Sequence, residues 1–92
     1  MPMLVLPAQM MHAQAVACSR MLAQGMRSQP DAAIVADAGG LEQFDSSALA
    51  VLLECRREAL ALGKTFSVSR MPVRLRELAT LYGVAQLLPA AP

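Results

Sequence analysis

The chain has 92 residues, enough for one hydrophobic core and no second. Hydrophobic residues make up 55% and charged residues 16%, which excludes an intrinsically disordered chain. Eight Lys and Arg against seven Asp and Glu leave a net charge of +1, too balanced for a nucleic-acid binder that works by neutralising phosphates. One His and two Cys exclude most metal frameworks and any disulfide scaffold.

The amino terminus reads Met1-Pro2-Met3-Leu4-Val5-Leu6-Pro7. It has no basic stretch before its apolar run, and Pro7 cuts that run short, which argues against a signal peptide. No segment approaches the ~18 uninterrupted apolar residues that a membrane span needs. The richest, Ala48 to Leu62, is broken by Glu54, Arg56, Arg57 and Glu58. Cys18 and Cys55 sit in apolar, helix-like contexts, where a free thiol behaves as a small core residue. The expected location is the cytoplasm, without insertion into a membrane.

Met3 to Leu6 predicts a short strand closed by Pro7. Between Gln9 and Arg27, Met11, Ala15, Cys18, Leu22 and Met26 draw one stripe down a helix. Ser28-Gln29-Pro30-Asp31 is a turn, because Pro30 forbids helix continuation. Ala32 to Ala36 is a continuous apolar run with β-branched residues at its centre, the pattern of a strand buried on both faces. Asp45-Ser46-Ser47 opens the clearest helix, running to about Leu62, with either Asp or Ser able to accept from the free N–H groups of the first turn.

The apolar face of that helix is Ala48, Leu49, Val51, Leu52, Cys55, Ala59, Leu60 and Leu62. Glu54, Arg57 and Glu58 mark its wet side, Arg56 lies at the edge, and Gly63 ends it. Thr65 to Ser69 alternates and is rich in strand formers. Pro72 suits the first turn of a third helix, with Val73, Leu75, Leu78, Ala79, Leu81 and Tyr82 on its core side and Gly83 at its end. Val84 to Leu88 is a last short apolar segment, and Ala90-Ala91-Pro92 a frayed tail. The alternation predicts one α/β domain over residues 1–92, a layer sandwich with a small, mostly parallel or mixed sheet of about four strands and three to four helices.

Catalysis has little support. His12, the only imidazole, lies away from any Ser-Asp or Cys-Asp cluster and reads as a structural histidine. Asp37 and Asp45 would be the pair for acid–base work or a divalent ion, but one ends a strand and the other caps a helix, which are ordinary local roles. Gly39-Gly40 lacks the Lys and further glycines of a phosphate-cradling loop. No catalytic residue, metal or cofactor is expected. The hydroxyls of Ser46 and Ser47 are more informative. At the start of a helix they face convergent N–H groups and the positive end of its dipole, a place that tolerates added negative charge. A phosphate there would bring a charge of about −2 beside Asp45. Plain helix capping is the simpler reading of the spacing.

The run Asp37-Ala38-Gly39-Gly40-Leu41-Glu42-Gln43-Phe44-Asp45-Ser46-Ser47-Ala48-Leu49 resembles the signature of STAS domains: a strand-ending Asp, a short loop with two apolar anchors, then Asp-Ser/Thr-Ser/Ala-Gly-Leu opening a helix. Ala48 stands where the signature has Gly. Leu78-Ala79-Thr80-Leu81-Tyr82-Gly83-Val84, followed by Leu87-Leu88-Pro89, resembles the end of the MlaB-type branch more than that of the anti-sigma-factor antagonists. Such domains usually carry a further strand before the one at Met3 to Leu6. Here this amino-terminal edge strand is missing, or the chain starts late, and an uncovered edge is open to pairing.

The resemblance implies a non-enzymatic module whose partner-binding face surrounds the start of the second helix. In the MlaB-type branch the partner is the ATPase of an ABC complex that moves phospholipid between bacterial membranes. This implies a cytoplasmic regulatory or stabilising subunit, held peripherally at the inner membrane by its partner. The alternative it implies is an anti-sigma-factor antagonist, switched when a serine kinase phosphorylates Ser46. Partner-binding candidates are Leu41, Phe44, Asp45, Ser46 and Ser47, with Ala50, Glu54 and Arg57 sharing a helix face with Ser46. Leu41 and Phe44 would alternatively pin the loop to the core.

Overall fold

The apolar run after Pro30 becomes the centre of a sheet. In the computed structural model, which describes residues 3–91, the main sheet has three parallel strands in the order β1 (Leu4–Val5), β3 (Ala33–Asp37), β5 (Thr65–Ser69). Leu4 lies opposite Ala36, and Ile34 opposite Phe66. Parallel neighbours need long crossovers, and helices supply them. These are α1 (Ala15–Ser28) between β1 and β3, and α2 (Ser47–Ala61) between β3 and β5; α3 (Val73–Leu81) follows β5. The left-handed backbone that stops α2 and α3 falls on Gly63 and Gly83, both at φ 73°.

A second, two-stranded sheet was not evident from the sequence. Gln9–Met10 is a strand, β2, paired in parallel with Gln43–Phe44, β4. The Ala8 carbonyl also accepts from the N–H groups of Glu42 (2.8 Å) and Gln43 (2.9 Å). The first helix therefore begins later than its apolar stripe predicts: His12–Gln14 is a single 3₁₀ turn, and regular helix starts at Ala15. A two-residue strand has no periodicity of its own, and the partner that defines it lies far along the chain.

One face of the main sheet carries Leu4, Ile34, Ala36, Phe66 and Val68 into a core shared with Cys18, Leu22 and Met26 of α1, Leu52, Cys55 and Ala59 of α2, and Leu75 and Ala79 of α3. Both cysteines are free and buried, and desolvation pushes the Cys55 thiol up to about 12. The third helix buries less than its composition predicts. Val73 (74%), Leu81 (77%) and Tyr82 (58%) are exposed, because only the stripe of Leu75 and Ala79 faces inward. Leu60 and Leu62, expected on the apolar face of α2, are exposed as well, one off the buried stripe and the other past the helix end.

Val84 and Ala85 pack against the core and Leu88 is fully buried, so the last apolar segment is anchored. The tail is not frayed at residues 90 and 91. Val68 donates to the Pro89 carbonyl and Ala91 to the Val68 carbonyl, both at 2.9 Å, so the tail lies along the outer edge of β5. Pro92, together with Met1 and Pro2, lies outside the described residues.

The contrast between stripe and composition is testable by urea denaturation. Leu52→Ala, at a fully buried site, is expected to cost about 3 kcal/mol. Leu81→Ala is expected to stay within about 0.5 kcal/mol of wild type.

Candidate functional site

The connection from β3 to α2 is fixed at its first residue by Asp37, whose side chain is 8% exposed. Arg70, just past β5, donates from Nε to Oδ1 (3.1 Å) and from Nη2 to Oδ2 (2.6 Å). The Gly39 N–H (2.9 Å) and the Ser69 hydroxyl (3.4 Å) also donate to Oδ1. The Arg70 hydrogen bond, chiefly, holds the Asp37 carboxyl below its ordinary range, and the same bond raises the pKa of Arg70. Arg70 has φ 53°, the only positive φ outside glycine among the described residues, a strained conformation that the paired carboxylate compensates. Gly39 makes the pairing possible: a Cβ there would lie 2.5 Å from the guanidinium.

The loop then turns inward. Leu41 donates its N–H to the Ala38 carbonyl (3.1 Å), and its side chain is 6% exposed within the core. Leu41 is thus an anchor and not part of the surface, a correction to its place among the partner-binding candidates. Phe44 is half-buried, with the Arg74 guanidinium carbon 5.2 Å from its ring centroid. It packs partly against the core and so pins the loop.

At the far end Asp45 performs the capping. Its Oδ1 accepts from Ser47 N–H (2.8 Å), which chiefly holds its carboxyl below the usual range. Its Oδ2 accepts from His12 N–H (3.2 Å), tying the first 3₁₀ turn to the start of α2. Ser46 occupies the N-cap position but makes no side-chain cap bond, so the capping duty expected of it falls to Asp45. The Ser46 hydroxyl is left exposed; Ser47 is half-buried.

From Ser46, the exposed residues Ala50, Glu54 and Arg57 continue along one face of α2, and Glu54 and Arg57 pair with each other at 3.5 Å. Beside this face runs an apolar groove of about 280 Å³ between Ser46, Leu49, Ala50 and Leu53 on one side and Tyr82 and Val84 on the other. Tyr82 and Val84 belong to the site although the sequence placed Tyr82 in the core. The signal for it was present: a large side chain next to the terminating Gly83 has few neighbours on its outer side.

Asp37 and Asp45 do not act together; one serves Arg70 and the other two backbone N–H groups. Among the described residues no group of three or more His, Cys, Asp and Glu side chains is placed to hold a metal ion. No described helix is long and apolar enough to cross a membrane.

Fold and site together describe a small α/β domain in which Asp37 and Asp45 are committed to holding a loop and the Ser46 hydroxyl stands on the surface. The chain belongs to the Mlab, STAS domain family, which it matches over residues 2–89. STAS domains are protein-interaction modules. Its fold is that of the anti-sigma factor antagonist SpoIIAA in its unphosphorylated form, with a TM-score of 0.72 and 16% identity over 96% of this chain and 76% of that one. A search of curated protein sequences finds no match.

The lowered pKa of Asp37 has a definite sign in stability. Its contribution is complete above the ordinary carboxylate range and is lost as pH falls through the lowered value. Urea melts of the wild type should lose stability progressively below about pH 4. Asp37→Asn should cost about 1–3 kcal/mol at neutral pH and flatten that acid slope, Asp45 keeping its own share.

Proposed function

We propose that the face around Ser46 docks the ATPase subunit of an ABC-type phospholipid transporter, making this chain a non-enzymatic regulatory subunit. The supporting observation is the exposed Ser46 hydroxyl, relieved of capping by Asp45 and set at the head of the apolar groove. The match to the Mlab, STAS domain family model supports this choice of partner class. The groove supplies the apolar centre of the interface; Glu54 and Arg57 form its polar rim. The domain stabilises or activates the ATPase and handles no lipid itself. It sits at the cytoplasmic side of the inner membrane through that partner.

A second reading draws on the fold shared with an anti-sigma factor antagonist known in an unphosphorylated form. On that reading a serine kinase places a phosphate on Ser46, and about two negative charges beside Asp45 break the complex.

Co-purification separates the two. The first reading expects the ATPase to be retained by wild type, lost with Ser46→Arg and weakened by Ser46→Asp. Tyr82→Ala should weaken binding about tenfold, ~1.4 kcal/mol, by removing one wall of the groove. Retention of the ATPase by Ser46→Arg at wild-type strength refutes this placement of the interface. A phosphate on Ser46 in cells, detected by intact mass, together with capture of a serine kinase, selects the second reading.

A further inference from the structure

We propose that the cleft between α3 and the tail beside β5 binds a small monocarboxylate with an apolar body, its carboxylate held by Arg70 and Arg76. The cleft has a volume of about 640 Å³, larger than the groove at Ser46 and of a size that suits a small molecule. It shares no lining residue with that groove. Met71, Val73, Ala90 and Ala91 give it apolar walls. Val73, at the start of α3, is 74% exposed, an apolar side chain turned into solvent.

Two guanidiniums line the same cleft, and each is anchored by one side only. Arg70 gives Nε and Nη2 to Asp37, and its side chain stays 70% exposed. Arg76, half-buried, gives Nη1 to the carbonyls of Leu88 (2.9 Å) and Ala85 (3.4 Å). The remaining nitrogens, Nη1 of Arg70 and Nε and Nη2 of Arg76, donate to no group among the described residues. No described carboxylate forms an ion pair with Arg76. Arg70 is also the strained residue, at φ 53°, and such residues gather at ligand sites.

Anchored guanidiniums with open N–H groups are suited to a planar carboxylate, which accepts paired, charge-assisted bonds. Anchoring also lowers the ordering cost of binding. The charge balance limits the ligand to one negative charge. Asp37 already offsets Arg70, and Glu77 stands on the exposed rim of the cleft, so a doubly charged phosphate meets repulsion. The apolar walls select the rest of the ligand: each methylene buried against them adds up to about fourfold in affinity.

Titration of the isotopically labelled full chain with octanoate to about 10 mM near neutral pH, followed by NMR, tests this. Saturable shifts are expected at the Met71 and Val73 methyls and at the Arg70 and Arg76 Nε signals, and none at Ser46, Ala50 or Tyr82. Octanol, octylammonium, acetate and inorganic phosphate should each bind at least about tenfold more weakly. Glu77→Gln should tighten octanoate about threefold. Arg76→Gln and Val73→Glu should each weaken it at least about tenfold. Circular dichroism reports whether each variant is folded, and Val73→Glu, at an exposed position, decides if Arg76→Gln does not fold. The absence of a saturable shift overturns the proposal. So do shifts centred on the Ser46 groove, octanol binding as tightly as octanoate, or a folded Val73→Glu that binds like wild type.

Discussion

Two carboxylates fix the surface at the start of α2. Asp37 and Asp45 stand at the two ends of the connection between β3 and α2, and each uses its oxygens on structural donors: Arg70, Ser69 and Gly39 for one, Ser47 and His12 for the other. A polar group with poor access to water must be satisfied, and Asp37 is satisfied on both oxygens. The loop between them thereby acquires a fixed path, with Leu41 sunk into the core. Because Asp45 already serves the first turn of α2, Ser46 keeps a hydroxyl with no structural duty. That division of labour between adjacent residues produces an exposed hydroxyl on a fixed helix start.

The larger elements were legible in the sequence because their signals are local. Three strands and three helices could be placed from apolar runs, the Pro30 break, the Asp45 cap and the glycine stops at 63 and 83, and the structure places them there within a few residues. What escaped reading depends on contacts between distant residues. The pairing of Gln9–Met10 with Gln43–Phe44 has no local signature, and the joining of Arg70 to Asp37 needs the register of β5 against β3. The tail at Ala90 and Ala91 was misjudged because it holds its place by backbone bonds to Val68, which side-chain composition does not report.

The candidate site shows the same division. Ser46, Ala50, Glu54 and Arg57 share a helix face, as their spacing requires, but the groove beside them has its second wall on a different element. Tyr82 looked like a core residue because Leu, Ala and Tyr dominate the end of α3. The nine-residue helix turns too narrow a stripe inward to bury them all. An apolar residue left over from a short helix is thus informative: it becomes surface, and here it becomes the flank of an apolar groove.

The burial of both cysteines has a practical consequence for biophysics. Cys55 has its thiol pushed up to about 12, so almost none of it is thiolate at neutral pH, and Cys18 is shielded by the same core. A single cysteine introduced at the exposed position 50 therefore becomes the one fast-reacting sulfur in the folded chain. A maleimide fluorophore attached there needs no cysteine-free background, and its emission reports on the surroundings of the groove that position 50 lines.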